Sequence, residues 1–141
     1  MVSRNYDVSS YGGTPPDPDD DLDIKEGGPI YPVEDIKALA EQGRVTLWSR
    51  GAQEDAQKWE LDSDELAFLA RLALDQNGYL HSRWCLQGRD GPWAACDAYQ
   101  VTRKEWVPTA RREMTIKYYL KFGISKAGTV LLMVSNHPED T

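Results

Sequence analysis

The chain has 141 residues, 40% of them hydrophobic and 28% charged, with a formal net charge of -7 and a mean hydropathy of -0.60. This is one domain of ordinary size, which excludes a large multidomain enzyme, and no run approaches the roughly 18 apolar residues of a membrane span. Met1 to Ser10 lacks the basic start and apolar run of a signal peptide, so a cytoplasmic protein is the expectation.

The average charge conceals a reversal along the chain. Residues 1–28 and 29–78 each carry -5, residues 79–126 carry +5, and residues 127–141 carry -2. The basic block holds Arg83, Arg89, Arg103, Lys104, Arg111, Arg112, Lys117, Lys121 and Lys126. A pI near 4.8 argues against coating nucleic acid by bulk charge, yet a local basic surface can still bind phosphate.

In chain order, residues 1–28 contain Gly12, Gly13, Pro15, Pro16, Pro18 and the run Asp19-Asp20-Asp21, with too few apolar groups to offset the entropy of ordering them. They read as a flexible acidic tail, either an arm that competes with nucleic acid for the basic surface or a solvated segment that aids solubility. Residues 29–141 then form a single domain.

Pro32, Glu34 and Asp35 mark a helix start, Val33, Ile36, Leu39 and Ala40 share one face, and Gly43 closes it. Arg44 to Trp48 alternates like a short strand, and Gly51 to Trp59 reads as a polar helical excursion or a loop. Asp62 with Glu65 three positions on starts a second helix that buries Leu66, Leu69, Ala70 and Ala73 and stops near Gly78.

From Tyr79 the period becomes two. Tyr79–Gln87 and Trp93–Val101 are strands joined by a turn at Gly88, Arg89, Asp90 and Gly91; Met114–Ile124 and Thr129–Asn136 form another hairpin around Ser125–Gly128. The expected architecture is α+β, with two N-terminal helices on one face of an antiparallel sheet. The opposite face is where function would sit.

Alternation places Tyr79, His81, Arg83 and Cys85 on one side of their strand, and Lys117, Tyr119 and Lys121 on one side of theirs. If these sides coincide, with His137 arriving on the last strand, the sheet gathers the groups needed to cleave RNA through its own 2′-hydroxyl. The reaction takes a base for that hydroxyl, an acid for the leaving 5′ oxygen, and cations for the charge on phosphate. Imidazole serves as base or acid near neutral pH, Lys and Arg serve as donors, and an exposed tyrosine can stack on a base. Each residue also has a plainer reading: surface histidines, a sheet-packing tyrosine, solubilising lysines and arginines. Cys85 and Cys96 read as free thiols, and neither they nor the two histidines have the spacing of a metal quartet.

Several strings, in order, resemble the motility quorum-sensing regulator (MqsR) family of toxins from bacterial toxin-antitoxin pairs. They are Tyr31-Pro32-Val33-Glu34-Asp35-Ile36-Lys37-Ala38-Leu39 followed by Gly43-Arg44-Val45; Leu61-Asp62-Ser63-Asp64; Tyr79-Leu80-His81-Ser82; Trp93 to Tyr99 with Asp97 and Tyr99; Tyr119-Leu120-Lys121; and Leu131 to His137. The resemblance covers residues 31–141. It implies a RelE-like fold and a ribosome-independent, cofactor-free and metal-independent endoribonuclease that cuts single-stranded mRNA, with no direct part for DNA, and is inhibited by a cognate antitoxin protein.

By position, the family's two site lysines fall on His81 and His137, its glutamine on Cys96 and its tyrosine on Tyr119. The implied catalytic set is therefore His81, Tyr119 and His137. Arg83, Cys96, Lys117, Lys121, Arg111 and Arg112 are the expected RNA contacts. Because three of the four positions differ from the family, a catalytically inactive RNA- or protein-binding module on the same fold is the alternative.

Overall fold

A computed structural model describes residues 6–88 and 91–139. The α+β expectation holds at that level, but the arrangement is richer. The described residues form β1 (Asp23–Ile24), α1 (Val33–Glu41), β2 (Val45–Leu47), α2 (Arg50–Lys58), α3 (Ser63–Asp75), β3 (Tyr79–Leu86), β4 (Trp93–Val107), β5 (Arg112–Ile124) and β6 (Leu131–Pro138). The strands make one sheet in the order β1-β3-β4-β5-β6-β2. It is mixed rather than antiparallel, because β2 runs parallel to β6. A parallel partner needs a long crossover, and the chain from α2 to β5 supplies it.

Local chemistry explains the helices. In α1, Glu34 and Asp35 occupy the first turn, Ile36, Leu39 and Ala40 are buried, and Gly43 at φ +68° ends the run. Asp62 caps α3 by accepting from the Glu65 amide at 2.8 Å. Beyond α3, Gly78 passes so close to β4 that a Cβ there would lie 1.9 Å from the Gln100 carbonyl oxygen. The stretch left open between helix and loop is the helix α2, capped by Ser49, whose Oγ accepts from the Ala52 amide at 2.9 Å and donates to the Val134 carbonyl. Only Ala52 and Ala56 of α2 are buried. So narrow an apolar stripe carries little periodic signal.

The main core lies where α1 and α3 meet one sheet face, with Ile36, Leu66, Leu69, Tyr99, Leu120, Phe122 and Met133 at its centre. Tyr99 stacks on Phe122 at 5.5 Å. Asp97, also on this face, accepts from the amides of Ile30 and Tyr31 and from Ser82 Oγ, which moors the approach to α1. No helix among the described residues is long and apolar enough to cross a membrane.

Two parts of the expected flexible tail, around residues 7–11 and 22–24, are laid against the sheet, while most of residues 12–21 are exposed. The segment around Asp7 to Ser10 wedges between the ends of β4 and β5. Val8 donates to the Trp93 carbonyl at 2.9 Å, Ser10 donates to the Ile124 carbonyl at 3.0 Å, and Ser9 Oγ accepts from the Ala95 amide. Tyr11 packs edge-on to Trp84 at 5.8 Å, and Leu22 and Ile24 join the same cluster before β1 pairs with β3. Composition undervalues such a segment because the sheet supplies ready-made backbone partners, so a few apolar side chains suffice to hold it. Residues 1–5 of that expected tail, and Arg89 and Asp90 of the β3–β4 turn, lie outside the described residues.

Candidate functional site

The face opposite the helices carries the candidate residues in cross-strand rows. One row runs Gln100 on β4, Tyr119 on β5 and His137 on β6; the adjacent row runs His81 on β3, Ala98, Lys121 and Ser135. Partners across a ladder share a face, so this register brings His81, Tyr119 and His137 together as the alternation required. Tyr119 lies 6.5 Å from His81, edge-on, and 5.6 Å from His137, nearly stacked, between ring centroids. Ala98, beside His81, keeps the floor of the site low.

Strand β3 departs from the expected alternation at one place. A bulge at Leu80 lies between the Tyr79–Tyr99 and His81–Ala98 pairs. The extra residue sends Tyr79 to the core face, where it meets Tyr99 at 5.8 Å, while His81, Arg83 and Cys85 remain on the open face. No glycine or proline marks this bulge, so the even run Tyr79 to Cys85 reads as unbroken.

Each aromatic group is chemically constrained. His81 Nδ1 is enclosed without a hydrogen-bond partner, so proton exchange with a ligand passes through Nε2. His137 Nδ1 lies 3.1 Å from the Pro138 carbonyl oxygen, a contact that suits an Nδ1–H donor and leaves Nε2 for the site. Burial raises the Tyr119 phenol above its ordinary range, against the opposing pull of Lys121. Tyr119 is therefore a protonated donor at neutral pH rather than a base.

Charge enters from the neighbouring positions. Lys121 sits in the His81 row, Lys117 lies two residues before Tyr119 on the same face, and Arg83 lies two residues after His81 on β3, 3.9 Å from Asp23. Cys96 pairs with Arg83 but is wholly buried in a small cluster with Cys85, Ala94, Val8, Trp48 and Val134, so it offers RNA no surface. Hydrogen bonding from Cys96, with the nearby Lys121 and Arg83 cations, outweighs burial and brings the Cys85 thiol down to about 7. Arg111 and Arg112 lie apart from the triad, at the turn joining β4 and β5.

Gln100 was missed from sequence. It stands directly across from Tyr119 and supplies an amide two rows away from Cys96, the position where the resemblance expected one. The alternation Cys96, Ala98, Gln100 would have located it. Compared with family models, curated proteins and solved structures, the chain matches none.

Proposed function

We propose that this protein is an endoribonuclease of the mRNA-interferase kind, on a RelE-like fold, acting on single-stranded RNA through the 2′-hydroxyl and restrained by a cognate antitoxin. The observation that carries the reading is the His81–Tyr119–His137 cluster across two adjacent rows, with an imidazole on either side of one phenol and lysines on the same face. His81 Nε2 takes the proton of the 2′-hydroxyl as its oxygen attacks phosphorus. His137, protonated, gives its proton to the departing 5′ oxygen. Tyr119 and Gln100 donate to the phosphoryl oxygens, and Lys121, Lys117 and Arg83 balance the charge that builds there. The bonds formed and broken leave a 2′,3′-cyclic phosphate and a 5′-hydroxyl.

The test is to incubate the folded protein with a long mixed-sequence RNA in EDTA and map new ends. Discrete cuts with 5′-hydroxyl ends are expected. His137→Ala and His81→Ala should each lose about 10²- to 10⁴-fold in rate, the ordinary worth of general acid–base catalysis. Tyr119→Phe should lose less and keep RNA affinity. Intact RNA, or cutting that survives both histidine substitutions, would overturn the assignment. A module that binds RNA without cutting it is the competing reading, favoured by the exposed Trp106; salt-sensitive binding with no new ends would support it.

A further inference from the structure

β4 and β5 continue well past their neighbours. The β3 ladder reaches β4 only as far as Tyr99, and the β6 ladder reaches β5 only as far as Tyr118. Beyond Thr102 and Lys117, residues Arg103–Val107 and Arg112–Ile116 pair with each other alone and form a two-stranded ribbon. An isolated ribbon is marginal in water, and this one is held on one face by α3. Gln76 brackets the Thr102 backbone at 2.8 and 3.0 Å, and Arg103 reaches Glu65 at 2.6 Å and Glu105 at 3.1 Å. Arg103 also lies over the Tyr118 ring.

The other face of the ribbon is uncovered and continues the triad's face without a break in register. From the Gln100–Tyr119 pair it passes through Thr102–Lys117 and Lys104–Thr115 to Trp106–Glu113. Lys104 and Lys117 are exposed, and Trp106 is 64% exposed, more than any other large hydrophobic residue among those described. An indole so placed at the end of a rigid, basic strip contributes nothing to the core. In a chain of net charge -7, a strip whose charged groups are Lys117, Lys104 and then Glu113 selects an anionic strand. Glu113 beside the indole repels phosphate there and accepts from base amino groups, so the end of the strip suits a base and its middle suits phosphates.

We infer that the β4–β5 ribbon is a track for single-stranded RNA, carrying the strand from the triad past Lys117 and Lys104 to a base stacked on Trp106. The inference rests on the nuclease reading for the position of the cut, and on the ribbon alone for the binding. Six residues of strand from Gln100 to Trp106 span roughly 20 Å, the length of about six stacked nucleotides or fewer stretched ones. Binding and cutting should therefore gain from nucleotides that lie outside the triad on one side of the cut.

The experiment uses 2′-O-methyl oligoribonucleotides of graded length, which lack the attacking hydroxyl, together with cleavable RNAs of the same lengths. Trp106→Ala should weaken binding of strands of about eight nucleotides or longer by roughly tenfold, the scale of one lost base stack. It should leave dinucleotide cleavage at the wild-type rate, and Trp106→Phe should restore most of the loss. Lys104→Ala should reduce the salt slope of long-strand binding by about one. Affinity indifferent to length and to Trp106, with cleavage intact, overturns the track and spares the nuclease. Length-graded, Trp106-dependent binding without cleavage supports the track and overturns the nuclease. No RNA binding at any length overturns both and leaves the ribbon to a protein partner.

Discussion

Tyr119 and Cys85 show how neighbours one strand away set the chemistry of a side chain. Tyr119 is flanked by two imidazoles, and its burial holds the proton on its oxygen, so in the proposed mechanism base and acid fall to the histidines. Cys85 is moved the other way, to about 7, by the Cys96 thiol and the Lys121 and Arg83 cations. Alkylation of Cys85 by iodoacetamide, followed by mass spectrometry, should rise with a midpoint near 7, while the fully buried Cys96 stays unlabelled. Lys121→Ala should move that midpoint upward. A wild-type midpoint near the ordinary thiol value of about 8.5 would show that the Cys96 hydrogen bond and the neighbouring cations do not together lower the thiol, and an unchanged midpoint in Lys121→Ala would show that Lys121 does not act on the sulfur. The three triad residues were legible because alternation fixes which face a strand residue meets. Gln100 was equally legible by that rule, but the resemblance pointed to Cys96, two pairs away on the same strand.

Elements of this protein take their roles from pairings that no local pattern reveals. β1 is two residues long and aligns Asp23 with Arg83, so a carboxylate stands 3.9 Å from the guanidinium that the proposed mechanism turns toward phosphate. Both groups are about half exposed, which keeps the interaction weak. Asp23→Asn should raise RNA affinity about two- to fivefold at low salt and leave it unchanged at high salt. Equal affinity of the two proteins at low salt would mean that Asp23 does not compete for Arg83. Composition left residues 1–28 as either an acidic arm over the basic surface or a solvated segment, and the Asp23–Arg83 pair is a place where an acidic residue of that segment meets the basic face. The ribbon was hidden for a related reason. Arg103, Glu105 and Arg112 break the apolar alternation, because they face α3 and solvent rather than the main core, so the strand reading stopped at Val101 on one side and began at Met114 on the other.

At the scale of the whole molecule, Asp97 ties the sheet to the chain entering α1, and burial raises its carboxyl above the ordinary 3.8 despite the hydrogen bonds it accepts. A carboxyl raised in the folded state favours folding most when protonated, so its contribution is largest below about pH 3.8 and is lost as pH rises through the folded value. Asp97→Asn removes an acceptor facing the Ile30 and Tyr31 amides, at a cost of about 1–3 kcal/mol. The amide does not titrate, so the deficit measured by urea unfolding should be larger below about pH 3.8 than at neutral pH. A smaller deficit at the lower pH would show that the hydrogen bonds outweigh burial. The class α+β and most helices and strands followed from periodicity and capping. The sheet order did not, since parallel pairing of β2 with β6 and the wedge at Asp7 to Ser10 join segments far apart in the chain. That wedge has a consequence for synthesis on the ribosome. Residues 6–10 leave the tunnel early but find Trp93 and Ile124 only after most of the chain has followed, and β2 likewise waits for β6, the last strand to emerge. Until then the apolar stripes of α1 and α3 face solvent or a chaperone, so the nascent protein folds late, slowly and all at once rather than piece by piece.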